Sequence, residues 1–87
     1  MGGEVVSLEQ ARFRRQSADR ARNLSHRERA VLGELARGNP TEQIAEELFL
    51  SPHTVRSHVK AAMRKLDART RAHAVAIALS AGAIDAV

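Results

Sequence analysis

The stretch from Ser51 to Leu66 constrains the fold most, because its two edges differ so sharply in chemistry. Ser51 stands as an N-cap, and Pro52 follows at the first helical position, where a missing N–H is no loss. At about 100° per residue, Val55, Val59, Ala62 and Leu66 fall on one narrow stripe of a helix over 52–66. His53, Arg56, Ser57, Lys60 and Arg64 fall on the opposite side, with Thr54, His58 and Lys65 on one flank. The inner stripe is aliphatic. The outer one is almost wholly hydrogen-bond donors.

The rest of the chain reads as helices arranged around that one. Ser25-His26-Arg27-Glu28 has the form of a capping box, with Leu24 before it as a hydrophobic staple. Val31, Leu32 and Leu35 then give an apolar face, and Gly38 supplies a left-handed stop. A short helix follows over about 41–48, capped by Asn39 with Pro40 at its first position, or by Thr41. Ile44, Ala45 and Leu48 face inward and Glu42, Glu46 and Glu47 outward. Only Phe49, Leu50 and Ser51 join it to the helix over 52–66, which forces a sharp crossing. A last helix runs from near Thr70 to about Ala81, with Gly82 ending it. It is apolar nearly all round, so it is either fully buried or shared with another subunit, and one subunit this small has little room to bury it. β-branched runs and turn-rich strand pairs are missing. The expected fold is all-α: a four-helix domain over 24–87 behind a basic N-terminal extension over 1–23.

That extension carries Arg12, Arg14, Arg15, Arg20 and Arg22, while Val5, Val6, Leu8 and Phe13 share no helical stripe. It reads as a solvated linker or frayed helix, or else as a basic arm adding phosphate contacts or supporting a dimer. It has no apolar h-region, and the apolar run over 74–83 is too short to span a bilayer. No membrane partner is expected, and the cytoplasm is the expected location.

The net charge of +4 favours a polyanionic partner, and its distribution says more. Between Ser51 and Arg71 six cations face one acid, Asp67, whereas Glu28 to Glu47 holds two arginines and five glutamates. With no Trp, no Tyr and two Phe, the chain lacks stacking platforms for single-stranded nucleic acid. The four histidines (His26, His53, His58 and His73) have no metal-ligand spacing. No acid pair, nucleophile–base pattern or glycine-rich phosphate loop is visible either. Neither an enzyme nor a cofactor or metal site is expected. Glu28 reads as a capping or salt-bridging residue, and His58 as either a packed core histidine or a phosphate contact.

The segment over 41–60 matches a helix-turn-helix: apolar Ile44, Leu48, Leu50, Val55 and Val59, with small Ala45 where the helices approach. Such turns often carry glycine where this chain has Phe49, so the turn need not be of the commonest type. Arg56 can pair with guanine O6 and N7 together, Lys60 can reach the same acceptors singly, and Ser57 suits several bases. His53, Thr54 and the free amides near the helix start suit a phosphate, and His53 also stands on the base-facing stripe. Arg64, Lys65, Arg69 and Arg71 are placed for backbone neutralisation.

These residues resemble the LuxR-type helix-turn-helix domain of bacterial regulators. The resemblance rests on L-S-x-R-E-R-A-V-L at 24–32, G-N-P-T-E-Q-I-A at 38–45, L-F-L-S-P-H-T-V-R-S-H-V-K at 48–60, R-K-L-D-A-R-T-R-A-H-A-V at 64–75 and A-G-A-I at 81–84. It implies sequence-specific binding of double-stranded DNA as a transcription regulator, with the helix over 52–66 in the major groove. By position it places Arg56, Ser57 and Lys60 against bases and Thr54, His58 and Lys65 against phosphates. It also implies a homodimer through the helix over 71–81, using Ala72, Ala76, Ile77, Leu79 and Ser80, with RNA polymerase as a further partner. Two departures stand out: Ala61 replaces a frequent Asn or Arg, and Pro40 replaces a frequent capping Ser or Thr. A sigma-factor-like promoter-recognition region and a helical dimerisation module without DNA are the competing readings. No receiver or ligand-sensing block precedes the module in these residues, which suits a free-standing regulator or the output domain of a longer one.

Overall fold

A computed structural model describes residues 8–85, and these form five helices: α1 (Leu8–Ala21), α2 (His26–Ala36), α3 (Thr41–Leu48), α4 (Pro52–Leu66) and α5 (Arg71–Ser80). No strand occurs among the described residues. The all-α expectation holds, with one helix more than the four anticipated.

Local chemistry sets most boundaries. The capping box of α2 is complete: the Glu28 amide donates to Ser25 Oγ at 3.0 Å, and the Ser25 amide donates to Glu28 Oε1 at 2.7 Å. Ser51 Oγ accepts from the Thr54 amide at 3.0 Å to open α4, and Thr70 Oγ1 accepts from the His73 amide at 3.0 Å to open α5. Gly38 and Gly82, at φ 84° and 72°, turn the chain out of α2 and α5 as expected.

Two local expectations need correction. Neither Asn39 nor Thr41 caps α3. Asn39 turns back to α2, donating from Nδ2 to Glu34 Oε1 at 2.6 Å, and the cap position falls to Pro40, which offers no side-chain acceptor. The turn after α3 is the left-handed kind after all, and Phe49 itself adopts it at φ 57°, ψ 44°. The Leu50 amide then donates to the Ala45 carbonyl at 2.9 Å, closing the helix as a glycine would.

The core is two aliphatic clusters that share α4. One gathers Leu24, Leu32, Ala62, Leu66, Ala74, Ile77 and Ala78; the other gathers Val31, Ile44, Ala45, Val55 and Val59. All four residues of the stripe inferred for α4 are buried, so its opposite face is turned outward.

Residues 8–21 were expected as a linker, a frayed helix or a basic arm. They form α1, which packs against α4 and α5 and buries Ser17 and Ala21. The interior stripe of α1 is made of small residues, so a search for large apolar side chains passes over it. Val5 and Val6 lie outside the described residues.

Candidate nucleic-acid interface

α3, the tight turn and α4 form the helix-turn-helix, and packing decides which side chains it presents. Because Val55, Val59, Ala62 and Leu66 are sunk in the core, His53, Arg56, Ser57, Lys60 and Arg64 are exposed along the far side of α4. No ion pair among the described residues engages Arg56, Lys60, Arg64, Arg69 or Arg71. Their charge is therefore not spent within the fold. The acids of α3, Glu42, Glu46 and Glu47, are exposed on a different helix.

The flank residues divide. Thr54 is half-buried, and its Oγ1 accepts from Ser51 Oγ at 2.9 Å, which ties it to the start of α4. His58 is half-buried beside the core. Lys65, expected against a phosphate, is also held within the fold. Its Nζ donates to Glu28 Oε1 at 2.8 Å and Oε2 at 3.1 Å, joining α4 to α2. Burial pushes the Glu28 carboxyl up. The hydrogen bonds from Lys65 and the Ser25 amide, with the lysine charge, outweigh it, and the group ends below the usual carboxylate range. Glu28 thus serves as both cap and ion-pair partner, as its sequence context suggested. The two partners lie 37 residues apart, and nothing in local sequence pairs them.

α5 separates the expected dimer residues. Ala72, Ala76, Leu79 and Ser80 are exposed, but Ile77 is 4% exposed and sits in the core with Ala74 and Ala78. The burial that one subunit was not expected to provide is supplied in part by α1.

One grouping was not anticipated. Thr41, Arg56, Val59, Lys60, Met63 and Arg71 line a single cleft of about 220 Å³ between the start of α3, α4 and the start of α5. Thr41 was read only as a possible cap, and Met63 carries no signal in the sequence beyond helix position. Only the fold brings them to the cations.

With this geometry in view, the family of bacterial regulatory proteins named for luxR matches residues 22–78, which include α2 to α4 and most of α5. The chain belongs to the LuxR family of bacterial regulatory proteins. It is 42% identical over 62 residues to the spore germination protein GerE of Bacillus subtilis, covering 71% of this chain and 84% of that one. It is also 42% identical over 73 residues to the probable transcriptional regulatory protein NarL of Mycobacterium tuberculosis, covering 84% of this chain and 34% of that protein. The transcriptional regulatory protein FixJ of Rhizobium meliloti is 41% identical over 63 residues, 72% of this chain and 31% of that one. The chain thus spans most of GerE but about a third of NarL and FixJ. Membership of a LuxR regulatory family agrees with the expectation that the chain is not an enzyme. No helix among the described residues is long and apolar enough to cross a membrane.

Proposed function

We propose that the chain binds double-stranded DNA sequence-specifically, as a transcription regulator acting in the bacterial cytoplasm. The observation that carries this reading is the outer face of α4: exposed, cationic, backed by a rigid aliphatic stripe and unpaired with any acid of the described residues. A helix presented in this way can enter the major groove, where Arg56, Ser57, Lys60 and His53 meet base edges. Thr54, His58, Arg64, Arg69 and Arg71 lie toward the sugar–phosphate backbone. Lys65 is left out of this set because Glu28 holds it.

The assembly is a homodimer joined through the exposed stripe of α5, Ala72, Ala76, Leu79 and Ser80. It sets two copies of α4 about one turn of DNA apart, roughly 10 base pairs. RNA polymerase is the partner that such a DNA-bound dimer would engage.

Selection of bound sequences from a random duplex pool at physiological salt tests this directly. A two-fold motif with half-sites one turn apart is expected. On that motif Arg56→Ala should cost about 1–3 kcal/mol and blur the preference at one base pair. Enrichment of no motif, or an Arg56→Ala variant with unchanged preference, would overturn the reading.

A further inference from the structure

We propose that α1 belongs to the subunit interface: a second copy of this chain seats on a composite face built from α1 and α5, with Phe13 as its aromatic anchor. This rests on the reading of the chain as a homodimer through α5, and it extends that interface to a second helix. α1 precedes residues 22–78, so the added surface is not part of the matched family domain.

Area makes the first argument. α5 has ten residues, which gives a helix about 15 Å long and about 10 Å across. Its exposed stripe of Ala72, Ala76, Leu79 and Ser80 holds one large side chain, Leu79. Two such stripes laid together cover far less than the roughly 800 Å² per partner of a standard interface. α1 supplies what α5 lacks. It packs directly on α5, and Phe13 and Ser80 line one groove of about 270 Å³ with Glu9, Gln10 and Arg14. At about 100° per residue, Ala72 and Ala76 fall between Leu79 at one edge of the stripe and Ser80 at the other. The small side chains thus form a trough between a leucine of α5 and an aromatic of α1. α1 buries Ser17 and Ala21 within the monomer and leaves Phe13 half out of it. Removing that ring from water is a gain that a second copy can collect, and aromatics are enriched in interfaces for this reason.

Charge favours a copy of the chain over other occupants. The groove is bordered by one acid, Glu9, and one cation, Arg14, and neither is in an ion pair among the described residues. A two-fold contact presents the same patch from both sides, so an acid and a cation can each meet its opposite across the axis. A nucleic acid would be repelled by Glu9, and a strongly basic partner by Arg14.

Sedimentation equilibrium of the parent and its variants tests this, with circular dichroism melts to check folding. Phe13→Asp should raise the dimer dissociation constant about tenfold or more, the effect of losing one interface aromatic, and should remain helical. Glu9→Arg and Arg14→Glu leave the core untouched. Each should self-associate more weakly than the parent, and an equal mixture of the two should pair better than either does alone. If Phe13→Asp and both charge variants dimerise as the parent does while Leu79→Asp is monomeric, α1 lies outside the interface and the α5 dimer stands without it. If the parent itself stays monomeric, free and on DNA, the dimer reading fails and takes the composite face with it.

Discussion

Lys65 was expected to touch DNA, and the fold employs it as the partner of a buried carboxylate; replacing it separates the two roles. Glu28 is 6% exposed at its side chain, and three hydrogen bonds reach it: one from the Ser25 amide and two from Lys65 Nζ. Lys65→Met keeps the aliphatic stem, removes both lysine bonds and leaves Oε2 with no partner among the described residues. Breaking a fully buried pair costs about 3–5 kcal/mol. Lys65 is 35% exposed, so water can replace part of what is lost and the expected cost is about 2 kcal/mol. For a domain of this size, that lowers Tm by roughly 8–16 °C. The effect should depend on pH. The Glu28 carboxyl titrates below its ordinary value of 4.5 when folded, so its contribution is present above that pH and lost as pH falls through the lowered value. Urea unfolding of the parent and of Lys65→Met, at pH 7 and at pH 3, should therefore show a wide gap that narrows in acid. A double-mutant cycle with Glu28→Gln should show coupling of about 1–2 kcal/mol at pH 7. An unchanged urea midpoint, accompanied by a DNA salt slope reduced by about 0.9, would refute the reasoning and return Lys65 to the phosphates.

Other substitutions test the rest of the frame. Phe49→Gly should stabilise the protein by about 0.5–1 kcal/mol in a denaturant melt. Phe49 is 93% exposed and gives up almost no burial, and relief of about 1–2 kcal/mol of left-handed strain exceeds the entropy that glycine adds to the unfolded chain. Ser51→Ala should cost about 1 kcal/mol and fray the start of α4, seen as faster amide exchange at Thr54. Ile77→Asp and Leu79→Asp should part company. The first should unfold the domain as judged by circular dichroism, and the second should leave a folded monomer by sedimentation.

Legibility in the sequence followed the range of the interactions. α4 was readable end to end because a serine cap, a proline and a 3.6-residue apolar period act within a few residues of one another. The box at Ser25 and Glu28 was readable for the same reason. The cap of α3 was misassigned because Asn39 and Thr41, on either side of Pro40, both carry a capping side chain. The choice was settled by Glu34, which draws the Asn39 amide back onto α2. At Phe49 a preference for glycine was overridden: closure of α3 required a left-handed residue, and the chain accepted the strain on an aromatic. The Lys65 bridge to Glu28 and the cleft that both Thr41 and Arg71 line bring together distant parts of the chain. Charge and period alone could place these residues on faces but could not pair them.

The placement of α1 alters what a dimer would look like. Without α1 packed on it, α5 would keep α2 and α4 as neighbours and leave one further face uncovered. Instead Ala74, Ile77 and Ala78 are buried inside the monomer, with α1 among the helices packed on α5. What remains is a narrower stripe, Ala72, Ala76, Leu79 and Ser80, at spacings of four, seven and eight residues, which keeps it on one helical face. At one end Ser80 borders a groove shared with Glu9, Gln10, Phe13 and Arg14 of α1. Phe13 is 48% exposed and Leu79 38%, so the largest apolar surfaces left near this stripe come from both helices. A second copy seated on α5 would therefore meet α1 at its border, and the side chain at position 13 would help decide how closely two subunits approach.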